Sequence, residues 1–146
     1  MLITRVELQN TRSYRDQTIT FAEGTNAICG ANGAGKSTLL AAIGFALFNH
    51  LTITQSEFVR EGERTATIGV HFVSSADGRT YQVVRKCGGS SEYYVYDPEL
   101  KARLVTGRTD VTDWLREHMG VDPGTDLTVL FQDAIGVPQG LLTAAL

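Results

Sequence analysis

Several features that would narrow the function quickly are scarce or missing. There are two cysteines, Cys29 and Cys87, 58 positions apart and without C-x-x-C spacing. That excludes a disulfide scaffold and a thiolate zinc site, and it fits a reduced, cytoplasmic chain with two ordinary thiols. No apolar stretch reaches 18 residues, so nothing reads as a membrane span. The opening MLITRVELQN has no charged segment followed by an apolar one, so it does not read as a signal peptide. Positive charge is not in excess: 13 lysines and arginines face 16 aspartates and glutamates, for a net charge of -3. Composition therefore gives no reason to expect nucleic-acid binding over the whole surface, although a local basic patch stays compatible with it. Internal repeats and low-complexity linkers are absent too. What remains is 146 residues, 42% apolar and 20% charged, enough for one globular domain or part of one.

Leu2, Val6 and Leu8 stand at strand parity and predict a half-buried strand over 2–9. A second short strand is expected at 18–21, then a turn at Glu23-Gly24 and an apolar strand at 26–29. From Lys36 to Phe48 the chain is apolar almost all round, which predicts a deeply buried helix. Over 65–73, Ala66, Ile68, Val70 and Phe72 alternate with Thr67, Gly69 and His71, the cleanest strand signal in the chain. Asp77-Gly78 predicts a hairpin turn into a partner strand at 80–85. CGGSSE reads as another turn before the strand YYVY, DPEL as the next, and Leu104 and Val105 as part of one more strand. A helix is expected over 110–119, with Val111, Trp114, Leu115 and Met119 on one face and Gly120 as its stop. Residues 127–134 read as a short helix or a strand, and 135–137 as a final short strand leading into Pro138-Gln139-Gly140. This order is not regular βαβ alternation; it predicts an α/β lobe carrying an antiparallel sheet.

The chemistry is concentrated at residues 30–37, GANGAGKS, which fit the phosphate-binding pattern G-x-x-x-x-G-K-[ST]. Gly30, Gly33 and Gly35 permit positive φ and close backbone approach, so that successive N–H groups can wrap phosphates. The helix near Lys36 adds its positive end, Lys36 a point charge for the β- and γ-phosphates, and Ser37 a hydroxyl for Mg²⁺. The predicted strand before and helix after meet the context this pattern requires. Hydrolysis demands more: a carboxylate for the metal at a strand end and a group that orients water. Asp133 in TVLFQD is the nearest acid, but it reads better as a solvated helix residue than as a metal-site acid. CGGSSEY reads as a hairpin turn in preference to a phosphate-contacting signature loop. His50, His71 and His118 are scattered and read as surface or packing residues. Catalytic machinery is not visible in this stretch of chain.

Taken together, these segments resemble the N-terminal half of an ATPase head of the SMC/SbcC superfamily, ABC-type ATPases of chromosome maintenance and double-strand-break repair. ITRVELQNTRSY resembles the first strand and its basic-aromatic loop, and TNAICGANGAGKSTLLAAIGFALF the Walker A strand, loop and helix. EFVREGERTATIGVHF resembles the lead into the antiparallel strands, and AIGVPQG the Q-loop. The 103 positions from Lys36 to Gln139 suit the repair-type branch. The resemblance implies that Arg12 reaches toward the phosphates, and that Asn32, Gly33, Ala34, Gly35, Lys36, Ser37 and Thr38 cradle them. It places Val59, Arg60 and Glu61 against the nucleoside, and gives Gln139 the task of completing the Mg²⁺ shell with Ser37 and helping to position water. Lys36 and Gln139 are the residues it ties to catalysis. Gln132 competes for the Q-loop role, and Pro138 departs from the basic or polar residue usual before that glutamine. Arg12 as a solvated loop residue and Arg60 as a surface charge remain open alternatives.

The fold class implied is α/β: a P-loop NTPase, an ABC-type ATPase lobe with an antiparallel β subsheet, as the N-terminal half only. Residues 1–146 would be the N-terminal part of the head, with 141–146 the start of an outgoing coiled-coil helix. The resemblance implies ATP and Mg²⁺ as cofactors, and as partners a C-terminal ATPase half, a second head in a homodimer, an SbcD-type nuclease and DNA, with no membrane. The signature motif, Walker B acid and catalytic glutamate would lie in the other half. Three other readings stay in competition. A transporter-type ABC subunit needs an adenine-stacking aromatic, for which Tyr14 is poorly placed. A self-contained P-loop kinase needs an arginine lid and acceptor pocket. The third is a binding module without activity.

Overall fold

The computed structural model describes residues 2–12, 14–20, 33–51 and 53–134, with 33–37 and 131–134 as backbone alone. The strands are β1 (Leu2–Thr11), β2 (Tyr14–Thr20), β3 (Thr65–Val73), β4 (Thr80–Gly88), β5 (Glu92–Asp97) and β6 (Ala102–Thr106). The helices are α1 (Gly33–Phe48), α2 (Gln55–Phe58), α3 (Arg108–Met119) and α4 (Leu127–Ala134). The strands form one sheet in the order β2-β1-β3-β4-β5-β6, with every neighbouring pair antiparallel. The expected strand at 26–29, the turn at 23–24, the strand at 135–137, the Q-loop and the segment 141–146 lie outside the described residues.

The alternation read from the sequence becomes a packed face. Val6 stands opposite Val70, Val70 opposite Val83, Val83 opposite Val95 and Val95 opposite Val105, a row of valines crossing five strands. The first four are fully buried. β-Branched side chains suit such a row because they pack across strands at little cost in rotamer freedom. α1 lies on this face, its residues 42–48 all buried, and Trp114 of α3 meets the rings of Phe72 and Tyr81 there. The opposite face is polar, carrying Arg5, Glu7, Gln82, Lys86, Tyr94 and Tyr96. On it His71 pairs with Glu7, and Arg5 hydrogen-bonds the same ring. Among the described residues no helix is long and apolar enough to cross a membrane.

Four expectations need correcting or sharpening. α1 begins at Gly33, three residues ahead of Lys36, so Gly33, Ala34 and Gly35 belong to the helix and not to the loop before it. Glycine costs roughly 1 kcal/mol in a helix, and the apolar body of this 16-residue helix outweighs that cost. β2 runs from Tyr14, well before the expected Thr18, because backbone pairing to β1 does not depend on side-chain polarity; its polar residues are exposed on both faces. Residues 127–134 are helical. α2 was not foreseen. α3 does end as expected, on Gly120 at φ 75, whose N–H donates to the Arg116 and Glu117 carbonyls.

Candidate functional site

At the end of β1 the backbone does something uncommon for residues with side chains. Asn10 and Arg12 both take left-handed conformations, at φ 55 and φ 52. Each costs on the order of 1 kcal/mol, so surrounding structure must hold it. The hold is a short ladder to a segment far along the chain. The Arg12 N–H donates to the Phe58 carbonyl at 2.9 Å, and the Arg60 N–H donates to the Asn10 carbonyl at 2.8 Å. Thr11 and Val59 form the bridge between them.

The second segment is itself anchored. Thr54 caps α2: its hydroxyl oxygen accepts the Glu57 N–H at 3.2 Å and its hydrogen goes to the Glu57 carboxylate at 3.1 Å. Phe58 is fully buried, and its ring meets Phe45 of α1 edge-on with centroids 6.2 Å apart. Val59 packs beside Gly88, where the φ of 103 and the nearby Arg64 carbonyl leave no room for a Cβ. A turn then carries Glu61 into solvent, closed by the Glu63 N–H donating to the Arg60 carbonyl. Arg12 is exposed and Arg60 half-buried on either side of this ladder. Thr11 is fully buried, and its hydroxyl has no hydrogen-bond partner among the described residues. Such orphans are uncommon in folded proteins and tend to mark functional places.

The structure thus brings Arg12, Val59, Arg60 and Glu61 into one patch, although 48 positions separate the two arginines. Gly33, Ala34, Gly35, Lys36 and Ser37 form the opening of α1 as backbone, and Thr38 follows them as a buried residue. The first N–H groups of a helix have no intrahelical acceptor and carry about half a positive charge, which suits a bound anion. Asn32 and Gln139 lie outside the described residues. Gln132 and Asp133 belong to α4, described there as backbone. Among the described residues no cluster of three or more histidine, cysteine, aspartate or glutamate side chains could hold a metal.

The far end of α1 is built differently. Arg85 Nη1 donates to the Phe45 carbonyl at 3.0 Å and to Asn49 Oδ1 at 2.6 Å. Its guanidinium lies between the rings of Phe45 and Tyr93, 4.0 and 3.9 Å from their centroids. The Tyr93 hydroxyl donates to the Ala46 carbonyl at 2.6 Å. Burial pushes the Tyr93 phenol up to about 12 and the Arg85 guanidinium down from its ordinary value. Reading the sequence did not single out Arg85, Asn10, Thr11 or the α2 cap. The signals were there: T-Q-S-E at 54–57 is a capping box, and an arginine sits at an inward position of Tyr81-x-Val83-x-Arg85-x-Cys87. The CGGSSEY segment does connect β4 to β5 and lead into that strand. His71 and His118 are packing residues, against Glu7 and against Trp114.

A model of an AAA domain matches residues 5–114. The DNA double-strand break repair Rad50 ATPase of Methanopyrus kandleri is 38% identical over 142 residues, covering 95% of this chain and 16% of that protein. The Rad50 ATPase of Aeropyrum pernix is 36% identical over 143 residues, again 95% and 16%. The chain therefore spans only about a sixth of the length of these relatives. Among solved structures, the recombination mediator protein RecF with ATP has a TM-score of 0.59 at 25% identity, covering 71% of this chain and 28% of that one. The SMC head domain from Thermotoga maritima has a TM-score of 0.50 at 22% identity, covering 72% and 39%, a likeness of fold. The sheet and its helices are thus a partial P-loop NTPase fold of the RecF and SMC-head kind.

Proposed function

We propose, on the premise that the chain belongs to the AAA domain family, that it is the ATP- and Mg²⁺-binding lobe of an SMC/SbcC-like ATPase acting in DNA double-strand-break repair. The observation that carries this reading is the opening of α1 at Gly33, inside GANGAGKS, so that a phosphate-binding sequence runs straight into a helix N-terminus. In this reading residues 30–38 hold the phosphates, with Lys36 as their point charge. Ser37 and Gln139 complete the metal shell, and Arg12 and the Val59–Glu61 segment face the rest of the nucleotide. The ladder joining residues 10–12 to 58–60 supports that last assignment, because it sets two arginines on one patch. Similarity to Rad50 ATPases supports the repair assignment.

Hydrolysis in this reading comes from a C-terminal ATPase half and a second head, with 141–146 leading into a coiled coil. An SbcD-type nuclease and DNA are the partners, and the cytoplasm is the place of action. Calorimetric titration with ATP and Mg²⁺ tests the binding role. Lys36→Ala should weaken affinity about 100-fold, the worth of a charge-assisted contact of roughly 3 kcal/mol. Equal affinities for the two chains would overturn the phosphate assignment. ATP turnover by the 146-residue chain alone, lost on Lys36→Ala, would overturn the requirement for a second half.

A further inference from the structure

A cavity of about 320 Å³ opens beside the last turns of α1, where β4 turns into β5. Its lining includes four cationic residues, Arg85 and Arg108 on the side of α1 and Lys86 and Arg103 reaching it from the polar face of the sheet, and a single acidic one, Glu92. In a chain of net charge -3 this is a local reversal of sign. These cations are poorly neutralised. Arg85 spends its contacts on a carbonyl, an amide oxygen and two ring faces. Lys86 and Arg108 form no ion pair among the described residues. Glu92 stands across from Lys86 in the sheet, yet its one ion pair among the described residues is a loose 3.9 Å contact with Arg103. Arg103 also lies over the ring of Tyr94. Gly107 opens α3 at this cavity without a side-chain cap, which leaves the first N–H groups of a 12-residue helix to add to the positive wall. Asp110 lies in that first turn but does not line the cavity.

Like charges gathered in one concave site repel one another, and a bound oxyanion relieves that repulsion while accepting charge-assisted hydrogen bonds. We propose that this cavity is a second anion site, taking the phosphoryl groups of a small ligand of the pyrophosphate or free-nucleotide class. Its volume equals that of about ten water molecules, enough for two or three linked phosphates and far too little for duplex nucleic acid. It is separate from the phosphate loop: Phe45, in its wall, lies 12 residues beyond Gly33 on one helix, about 18 Å along the axis.

The test uses the whole chain carrying Lys36→Ala, which on the proposal above weakens the phosphate loop about 100-fold, so that the two cavity substitutions, and not the loop, decide the outcome. Inorganic pyrophosphate without Mg²⁺ is titrated by calorimetry at fixed ionic strength, with thermal unfolding followed in parallel. One saturable site and a raised Tm are expected. Adding Lys86→Ala and Arg108→Ala should weaken binding at least about tenfold without lowering the unliganded Tm, because neither side chain has an ion pair among the described residues and their removal relieves like-charge repulsion. A short DNA duplex should not displace the pyrophosphate. No saturable binding, binding indifferent to the two substitutions, or displacement by the duplex would each overturn the assignment.

Discussion

The two ends of α1 are finished in opposite ways. At its C-terminal end the protein supplies partners from its own side chains and backbone. Arg85 and Tyr93 reach in from neighbouring strands to the Phe45 and Ala46 carbonyls. Asn49 turns left-handed at φ 53, and the His50 N–H donates back to the Gly44 carbonyl at 3.0 Å. Helix carbonyls that would otherwise face an apolar core are thereby satisfied. At the N-terminal end the helix itself opens with Gly33-Ala34-Gly35, residues whose side chains have no group to offer the first N–H groups. The C-terminal end serves stability and, in the function proposed above, the N-terminal end serves a ligand, so substitutions at the two ends should separate folding from binding.

Arg85→Ala should have the largest effect. It removes two hydrogen bonds and a guanidinium held between two rings, and leaves a buried carbonyl short of its donor. A loss of about 3 kcal/mol in urea unfolding is expected. Lys36→Ala is the counterpart. Its roughly 100-fold loss of ATP affinity corresponds to about 2.7 kcal/mol, while its unfolding free energy should stay within about 0.5 kcal/mol of the parent. Should Lys36→Ala unfold as easily as Arg85→Ala, the contrast between the two ends is wrong.

Tyr93→Phe probes the closed end more gently, deleting one hydrogen bond to Ala46 for about 1–2 kcal/mol. It also carries a pH signature. Burial raises the folded phenol to about 12, above its ordinary value near 10. The associated stability is therefore complete below about pH 10 and is lost as pH rises from there through the folded value. Tyr81, whose phenol burial also raises, contributes to the same alkaline fall. Tyr93→Phe should accordingly make the fall shallower without abolishing it, as read by denaturant unfolding between about pH 9 and 12. An unchanged alkaline slope would remove Tyr93 from the account of the helix end.

What could be read from the sequence, and what could not, follows the range of the interactions. The valine row, the buried helix and the Gly120 stop rest on periodicity and local turn chemistry, and they are legible residue by residue. β2 was read short because its polar residues hide a pairing that is made by backbone alone. Arg85 is not legible in the sequence, because a charge at an inward strand position makes sense only once the end of α1 lies above it. The phosphate loop was legible as a motif, since its residues are consecutive. The meeting of Arg12 with Arg60 was not derivable from spacing, because it depends on a ladder between distant segments and on two left-handed residues whose cost only tertiary structure can offset. Only the family resemblance suggests a shared role for them.

The smallest expected effect lies away from both ends of α1 and sharpens the comparison by its location. His118, near the end of α3, is tied to the β3–β4 turn. The Ser74 hydroxyl hydrogen-bonds its Nδ1 at 2.7 Å, and the Ser75 N–H donates to its carbonyl at 3.1 Å. Its ring stacks on Trp114 with centroids 3.7 Å apart. Burial pushes the imidazole below its ordinary value, with Asp77 acting in the opposite direction. The unfolded chain then takes up a proton before the folded one does, so stability is complete above about pH 6.5 and falls as pH drops through the folded value. His118→Gln keeps a hydrogen-bonding side chain but does not titrate, and it should flatten this acid limb by less than about 1 kcal/mol. Asp77, held below its ordinary value chiefly by the Tyr81 hydroxyl, loses its contribution only at still lower pH. Amide exchange between about pH 5 and 7 should show the Ser75 N–H losing protection in the parent, with the His50 N–H at the closed end of α1 unaffected. Equal loss at both amides would mean that acid loosens the whole domain, and that the helix end held by Arg85 and Tyr93 is no more firmly fixed than the rest.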